Sequence, residues 1–136
     1  MDQRTLFVRW LIQLGMWLTC GLFIIACFAW WLLPAYAPRW FGQVADAIPL
    51  LTRPIASRLY KYGEAEYMIC ADLRTSDSKK SKAAARNAYH PLHEAARLYI
   101  QLSEATPDDK ALEAQMHSSN RLRYAVKKEV WIDIPP

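Results

Sequence analysis

From Trp10 to Leu33 the sequence WLIQLGMWLTCGLFIIACFAWWLL carries no charged residue, and this run constrains everything else the chain can be. As a helix, rising 1.5 Å per residue, it is roughly 36 Å long, against a bilayer hydrocarbon core of about 30 Å. A modest tilt absorbs the excess. Phe7, Trp10 and Trp17 lie towards one end, and Trp30, Trp31, Tyr36, Trp40 and Phe41 towards the other. Indole and phenol rings favour the headgroup boundary, so Trp10, Trp30, Trp31, Tyr36, Trp40 and Phe41 are read as interfacial anchors. Pro34 and Pro38 are expected to end the helix, because proline lacks the amide hydrogen and disfavours helix in the residue before it.

Two other readings of the run carry less weight. A cleaved signal peptide has a shorter apolar core and a small-x-small cleavage site. Ala35-Tyr36-Ala37 offers such a match, but the run is too long and exits through Trp-Trp-Leu-Leu-Pro. A buried helix of a soluble protein is the other, yet 136 residues could hardly enclose so long an apolar rod. A retained single-pass anchor is therefore expected. Arg4, Arg9 and the terminal amine flank its start, with Arg39 the first basic residue beyond it and Arg53, Arg58 and Lys61 further on. Positive charge resists translocation, which favours a cytoplasmic N-terminus and an exported C-terminal part, periplasmic in the inner membrane of a Gram-negative bacterium.

Gly15, Thr19, Leu22, Ala26 and Ala29 follow an i, i+4, i+7, i+11, i+14 ridge. Small residues there let a second membrane helix approach closely, and Gln13 could add an interhelical hydrogen bond of about 1 kcal/mol. The run has no histidine for haem and no Asp, Glu, Lys or Arg for an ion or proton path. By itself such a helix is neither a transporter nor a redox core.

Charge balance argues against nucleic acid as a partner. The chain has 17 Lys and Arg, 13 Asp and Glu, and a net charge of +4. Taking away Arg4, Arg9 and Asp2 leaves fifteen basic and twelve acidic residues in the remainder. That mixed-sign pattern is ordinary for a soluble surface, whereas nucleic-acid binding wants a denser stripe.

The remainder is expected to be helical. Residues 1–9 form a short tail, 10–33 the membrane helix, 34–54 an aromatic and proline-rich connector, 55–129 a helical extramembrane domain, and 130–136 an extended tail. In the connector, Trp40, Phe41, Val44, Ala45, Ile48, Leu50 and Leu51 are spaced as a short element lying along the membrane or a partner. A helix is read from Ile55 to Leu73, with Ile55, Leu59, Tyr62 and Ile69 on one side and Gly63 as a place to kink. Thr75 to Lys82 reads as a polar loop. Ala83 to Glu104 repeats Ala85, Ala88 or Tyr89, Leu92, Ala95 or Ala96, Tyr99 and Leu102 at helical spacing. Pro91 should kink or restart that helix. Thr106 is placed as the N-cap of the next, about Pro107 to Lys128, with Leu112, Met116, Leu122 and Val126 inward. The fold class is thus all-α: one membrane helix and a small helix-hairpin domain. Tyr89, Leu92, Tyr99, Leu102, Leu112 and Met116 are read as its partner-docking residues.

The stretch Ala95 to Leu112 resembles the junction between tetratricopeptide repeats, through Ala95-x-x-x-Tyr99 before a proline turn and Asp108-x-x-Ala111-Leu112 after it. The likeness would imply a two-helix repeat unit. No second copy occurs at the expected period, so the stretch is read as a generic helix–turn–helix.

Candidate chemistry is sparse. His90 and His93, with Glu94 beside them and His117 on the following helix, are the only metal-ligand-like group, and an i, i+3 spacing across a proline is not the usual zinc pattern. Cys20 and Cys27 lie within the apolar run and Cys70 stands alone outside it, so no intrachain disulfide framework is expected, and only an interchain bridge through Cys70 is conceivable. The four glycines are scattered, with no phosphate-binding loop among them. Neither enzyme activity, a cofactor nor a small-molecule substrate is expected. The expected role is a structural or accessory subunit of a multiprotein membrane complex, such as a secretion, conjugation or bioenergetic assembly. Its partners would be other membrane subunits and the bilayer, and a homo-oligomer is compatible with the same surfaces. Alternatives are a tethered hairpin binding a soluble protein or peptide and, third, a metal-dependent enzyme or sensor.

Overall fold

Pro38, rather than Pro34, ends the first helix. The structure, a computed structural model, describes residues 2–131, and among these there are five α-helices and no strand. Helix α1, Gln3–Tyr36, runs through Pro34 and stops where Ala37 leaves helical geometry (φ −143°, ψ 59°) ahead of Pro38. Pro34 costs only one amide donor, and the Ala37 N–H still closes onto the Leu33 carbonyl at 2.9 Å. The steric push of a proline on its predecessor is what breaks the helix. At 34 residues α1 is roughly 50 Å long, so it outreaches the charge-free run at its start by about two turns.

The chain divides into two compact units, with the boundary between Leu32 and Leu33. The first is the bulk of α1 alone. It is long and apolar enough to cross a membrane, and none of its most apolar window is buried within the chain.

The second unit packs helices α2 (Pro38–Ala47), α3 (Thr52–Leu73), α4 (Ser78–Ala105) and α5 (Lys110–Trp131). Helix α4 is central, flanked by α3 on one side and α5 on the other, while the shorter α2 lies across α3 and α4. Its sequence suits that position. Ala84, Ala85, Ala88, Ala95 and Ala96 are all buried, so two neighbours can approach closely, while Leu92, Leu98 and Tyr99 fill the remaining space. The flanking helices contribute Ile55, Ala56 and Leu59 from α3 and Leu112 and Val126 from α5.

Several boundaries differ from the sequence expectation, each for a local reason. Most of the polar stretch 75–82 belongs to α4, because the Asp77 carboxylate accepts from the Lys80 N–H at 3.1 Å and caps the helix there. Pro91 neither ends nor restarts α4. It is fully buried within a continuous helix. The cap of α5 is Asp109, which accepts from the Ala111 and Leu112 N–H groups at 3.0 and 3.2 Å, and Thr106 and Pro107 sit in the turn before it. The connector is not irregular but holds α2 and a 3₁₀ turn, Pro49–Leu51. Val130 lies in α5 rather than an extended tail, and residues 132–136 lie outside the described residues. On α3 the inward column is Ile55, Leu59, Gly63 and Cys70, while Ile69 faces outward.

Candidate functional site

Along α1, Gly15, Thr19, Leu22 and Ala26 are exposed, Ala29 is partly covered, and no atom stands within 4 Å of where a Gly15 β-carbon would be. The Thr19 hydroxyl donates to the Gly15 carbonyl at 2.8 Å, so it is already satisfied within its own helix. Gln13 does not share this face. At about 100° per residue in an unbroken helix it stands some 160° away from Gly15, on the side of Met16, Trp17 and Cys20. The shallow concavities along α1 are gaps between side chains of a single helix and enclose nothing.

Of the aromatic anchors, Trp10, Trp31, Tyr36 and Trp40 are exposed and Trp30 is half-buried. Phe41 is not an anchor. Only 2 % of it is accessible, because it points into the second unit beside Ala45 on the inner face of the amphipathic α2. A similar correction applies to the docking residues. Leu92, Tyr99 and Leu112 are core side chains, at most 3 % exposed, whereas Tyr89, Leu102 and Met116 are half-buried. The periodicity that marked them is that of a helix facing its own neighbours. Cys70 is 1 % exposed, packed with Ala84, Ala85 and Val130, and in sulfur contact with Ser81 Oγ at 3.3 Å, so no interchain disulfide can form there without opening the unit.

Helix α2 is fastened to α4 by charge. Arg97 on α4 bonds Glu94 Oε2 through Nε and Nη2 at 3.0 and 2.9 Å, and pairs with Asp46 on α2 at 3.1 Å. With its side chain turned so that nitrogen faces Asp46, Gln101 donates to that carboxylate at 3.2 Å. The two carboxylates hold the guanidinium charged and raise its pKa despite desolvation. Gly42 makes the approach possible, since a β-carbon there would collide with Glu94 Oε2. Thr52 Oγ1 donates to the Ala45 carbonyl at 2.9 Å and ties α2 to the start of α3.

One concavity of the second unit lies between α4 and α5. Tyr89, His93, Arg123, Tyr124 and Lys127 line a groove of about 150 Å³. Tyr89 and His93 stack, with ring centroids 6.1 Å apart and 25° between planes, and Arg123 lies over the Tyr124 ring at 5.1 Å. Tyr89 also meets His90 edge-on at 5.2 Å. His90 in turn borders a second concavity with Tyr36, Ala37, Pro38, Arg39 and Trp40. Desolvation first, then the positive charges of Arg123 and Arg39, push the His93 pKa below the usual imidazole value, opposed by Glu94. His117 does not line that groove and faces Glu113 at 3.7 Å, and no group of three or more His, Cys, Asp or Glu side chains that could hold a metal ion is present among the described residues.

The sequence reading missed this groove because its basic members are on α5, one and two turns before the end, and only the antiparallel packing of α4 and α5 brings them to His93. The i, i+4 pair Arg123 and Lys127 was the available signal. Compared with known proteins, the chain matches no family model, no curated sequence and no solved structure.

Proposed function

We propose that the chain is a non-catalytic accessory subunit of a multiprotein membrane complex, held by α1 as a retained single-pass anchor and presenting the four-helix unit to its partners. One observation carries this reading. The apolar surface of α1 is left uncovered by the rest of the chain. The large apolar side chains exposed along it would gain on the order of 30 kcal/mol on leaving water, which favours a lipid or protein environment over an aqueous one. The last turn of α1 also supports retention over cleavage: Leu33 onward belongs to the second unit, and Pro34 is fully buried there. Cleavage at the Ala35-Tyr36-Ala37 match would remove part of that fold.

In this reading Arg4 and Arg9 keep the N-terminus cytoplasmic and the second unit is exported. The small-residue ridge from Gly15 to Ala29 takes a neighbouring membrane helix. A membrane-tethered module that captures a soluble protein is the second reading, favoured by the apolar 3₁₀ turn, where Leu50 is 89 % exposed beside an exposed Ile48. Affinity purification of the full chain in mild detergent, with mass spectrometry of what accompanies it, tests both. Larger membrane proteins at fixed stoichiometry are expected, a soluble protein bound through Leu50 would favour the module, and a lone monomer would defeat the subunit reading.

A further inference from the structure

Among the described residues, the groove between α4 and α5 is lined by two basic side chains, one histidine and two tyrosines, and by no carboxylate. Glu94, the one acidic group acting on His93, is committed to Arg97, and Glu129, further along α5, to Arg74. Such a pocket is built for an anion. Its volume of about 150 Å³ is below the ~300 Å³ at which pockets for drug-sized ligands begin, so it suits a phosphate and its immediate substituents. Arg123 supplies a planar fork of N–H donors that matches phosphate oxygens, Lys127 a second positive charge, and the tyrosine rings an amphipathic wall.

Chain connectivity points to the source of that phosphate. Tyr36 continues α1 about 5 Å beyond Leu33, at headgroup depth for a helix that spans the bilayer, and Arg39 and Trp40 follow within four residues. These three side chains share a concavity with His90, one turn of α4 from His93. Within the second unit, the segment that follows the apolar run is therefore joined through His90 to the helix turn that carries His93. Basic pockets close to a membrane exit hold lipid headgroups.

We propose that the groove formed by Tyr89, His93, Arg123, Tyr124 and Lys127 binds the headgroup phosphate of an anionic phospholipid. The inference rests on the reading of α1 as a retained anchor. It gives the second unit a fixed seat on the membrane surface, which a partner-docking subunit needs in order to present one face.

The test is a titration of the full chain in detergent micelles, followed by the His93 ring resonance in NMR, with short-chain phosphatidylglycerol, short-chain phosphatidylcholine and inorganic phosphate as separate probes. Phosphatidylglycerol should shift the resonance saturably, and phosphatidylcholine should bind at least about tenfold more weakly. Arg123→Gln should weaken phosphatidylglycerol by about tenfold with helical circular dichroism unchanged, and Lys127→Gln provides the second variant should the first fail to fold. Equal response to both lipids, no response to either, or binding untouched by both substitutions would overturn the proposal. Saturation by inorganic phosphate at the same concentration as phosphatidylglycerol would overturn the choice of a lipid. Failure of the anchor reading looks different: the chain would then stay in aqueous solution once detergent is removed, whatever His93 reports in micelles.

Discussion

Leu92 Cγ occupies the space that a β-carbon on Gly63 would need, and this contact sets how closely α3 approaches α4. Leu92 is fully buried at the centre of α4 and has no room to swing away. Alanine at position 63 would gain up to about 1 kcal/mol in helix propensity but incur about 1–3 kcal/mol of overpacking. Gly63→Ala is therefore expected to destabilise the second unit by about 1 kcal/mol net, read as a lower Tm of the full chain in detergent. Gly63→Ala at or above the wild-type Tm would contradict the contact.

The seat of α2 depends on Arg97. Its guanidinium bridges Glu94 and Asp46, and hydrogen bonds to charged groups contribute about 1.5–3 kcal/mol each before partial solvent exposure reduces them. Arg97→Met keeps the aliphatic stem yet leaves both carboxylates without their cation. The expected result is a loss of about 1–2 kcal/mol and faster amide exchange across 38–47, with α3 to α5 protected as before. Uniform acceleration across all four helices would show that α2 is not a separable element.

His93 makes stability depend on pH with a definite sign. Its folded pKa lies below the ordinary 6.5, because burial, Arg123 on α5, the neighbouring His90 on α4 and Arg39 at the start of α2 disfavour the imidazolium more than Glu94 favours it. Lys127 on α5 lines the same groove. The unfolded chain then binds more protons than the folded one in the window below about 6.5. The His93 contribution is fully present above that value and is lost as pH falls through the folded pKa. Chemical denaturation between pH 7.5 and 5 should show stability falling, and His93→Gln should flatten that slope. A profile unchanged by His93→Gln would place the proton uptake elsewhere.

How much of this was legible in the sequence depends on which neighbour a residue answers to. The membrane-length helix, the all-helical class and the turn between α4 and α5 follow from patterns within one segment. Pro34 and Pro38 look alike in sequence, yet only Pro38 ends α1, because the preceding residue is free to leave helical geometry there. Phe41, Leu92, Tyr99 and Leu112 were marked as exposed anchors or docking residues, since an apolar stripe looks the same whether it meets a partner or the chain's own core. Gln13 was grouped with the small-residue ridge by proximity, and its helical angle places it on the opposite face. The groove could not be read at all without knowing that α5 returns antiparallel beside α4.

The ridge on α1 yields a prediction that separates assembly from folding. With nothing within 4 Å of a β-carbon at position 15, Gly15→Leu should leave the second unit's stability unchanged within about 0.5 kcal/mol. If a partner helix packs on that ridge, the same change should sharply reduce recovery of membrane partners in mild detergent. Gln13→Leu, on the other side of the helix, should leave recovery intact. Loss of partners with Gln13→Leu alone would move the contact to the opposite face.

Cys70 reports on the opening of the second unit rather than on its side of the membrane. Its thiol is shut in by Ala84, Ala85 and Val130, and Ser81 Oγ both contacts the sulfur and donates to the Cys70 carbonyl at 2.7 Å. In a variant with Cys20 and Cys27 replaced by serine, a maleimide should modify Cys70 only as fast as the α3–α4 end opens, far more slowly than the same reagent reacts in denaturant. Ser81→Ala removes the hydroxyl that spans the two helices, which should cost about 1 kcal/mol and raise the modification rate by roughly fivefold. A cysteine placed at the exposed Ser78 of the same variant should react at once from whichever compartment holds the unit, giving the sidedness that Cys70 cannot. Rapid labelling of Cys70 itself in the folded chain would mean that α3 and α4 do not close over it.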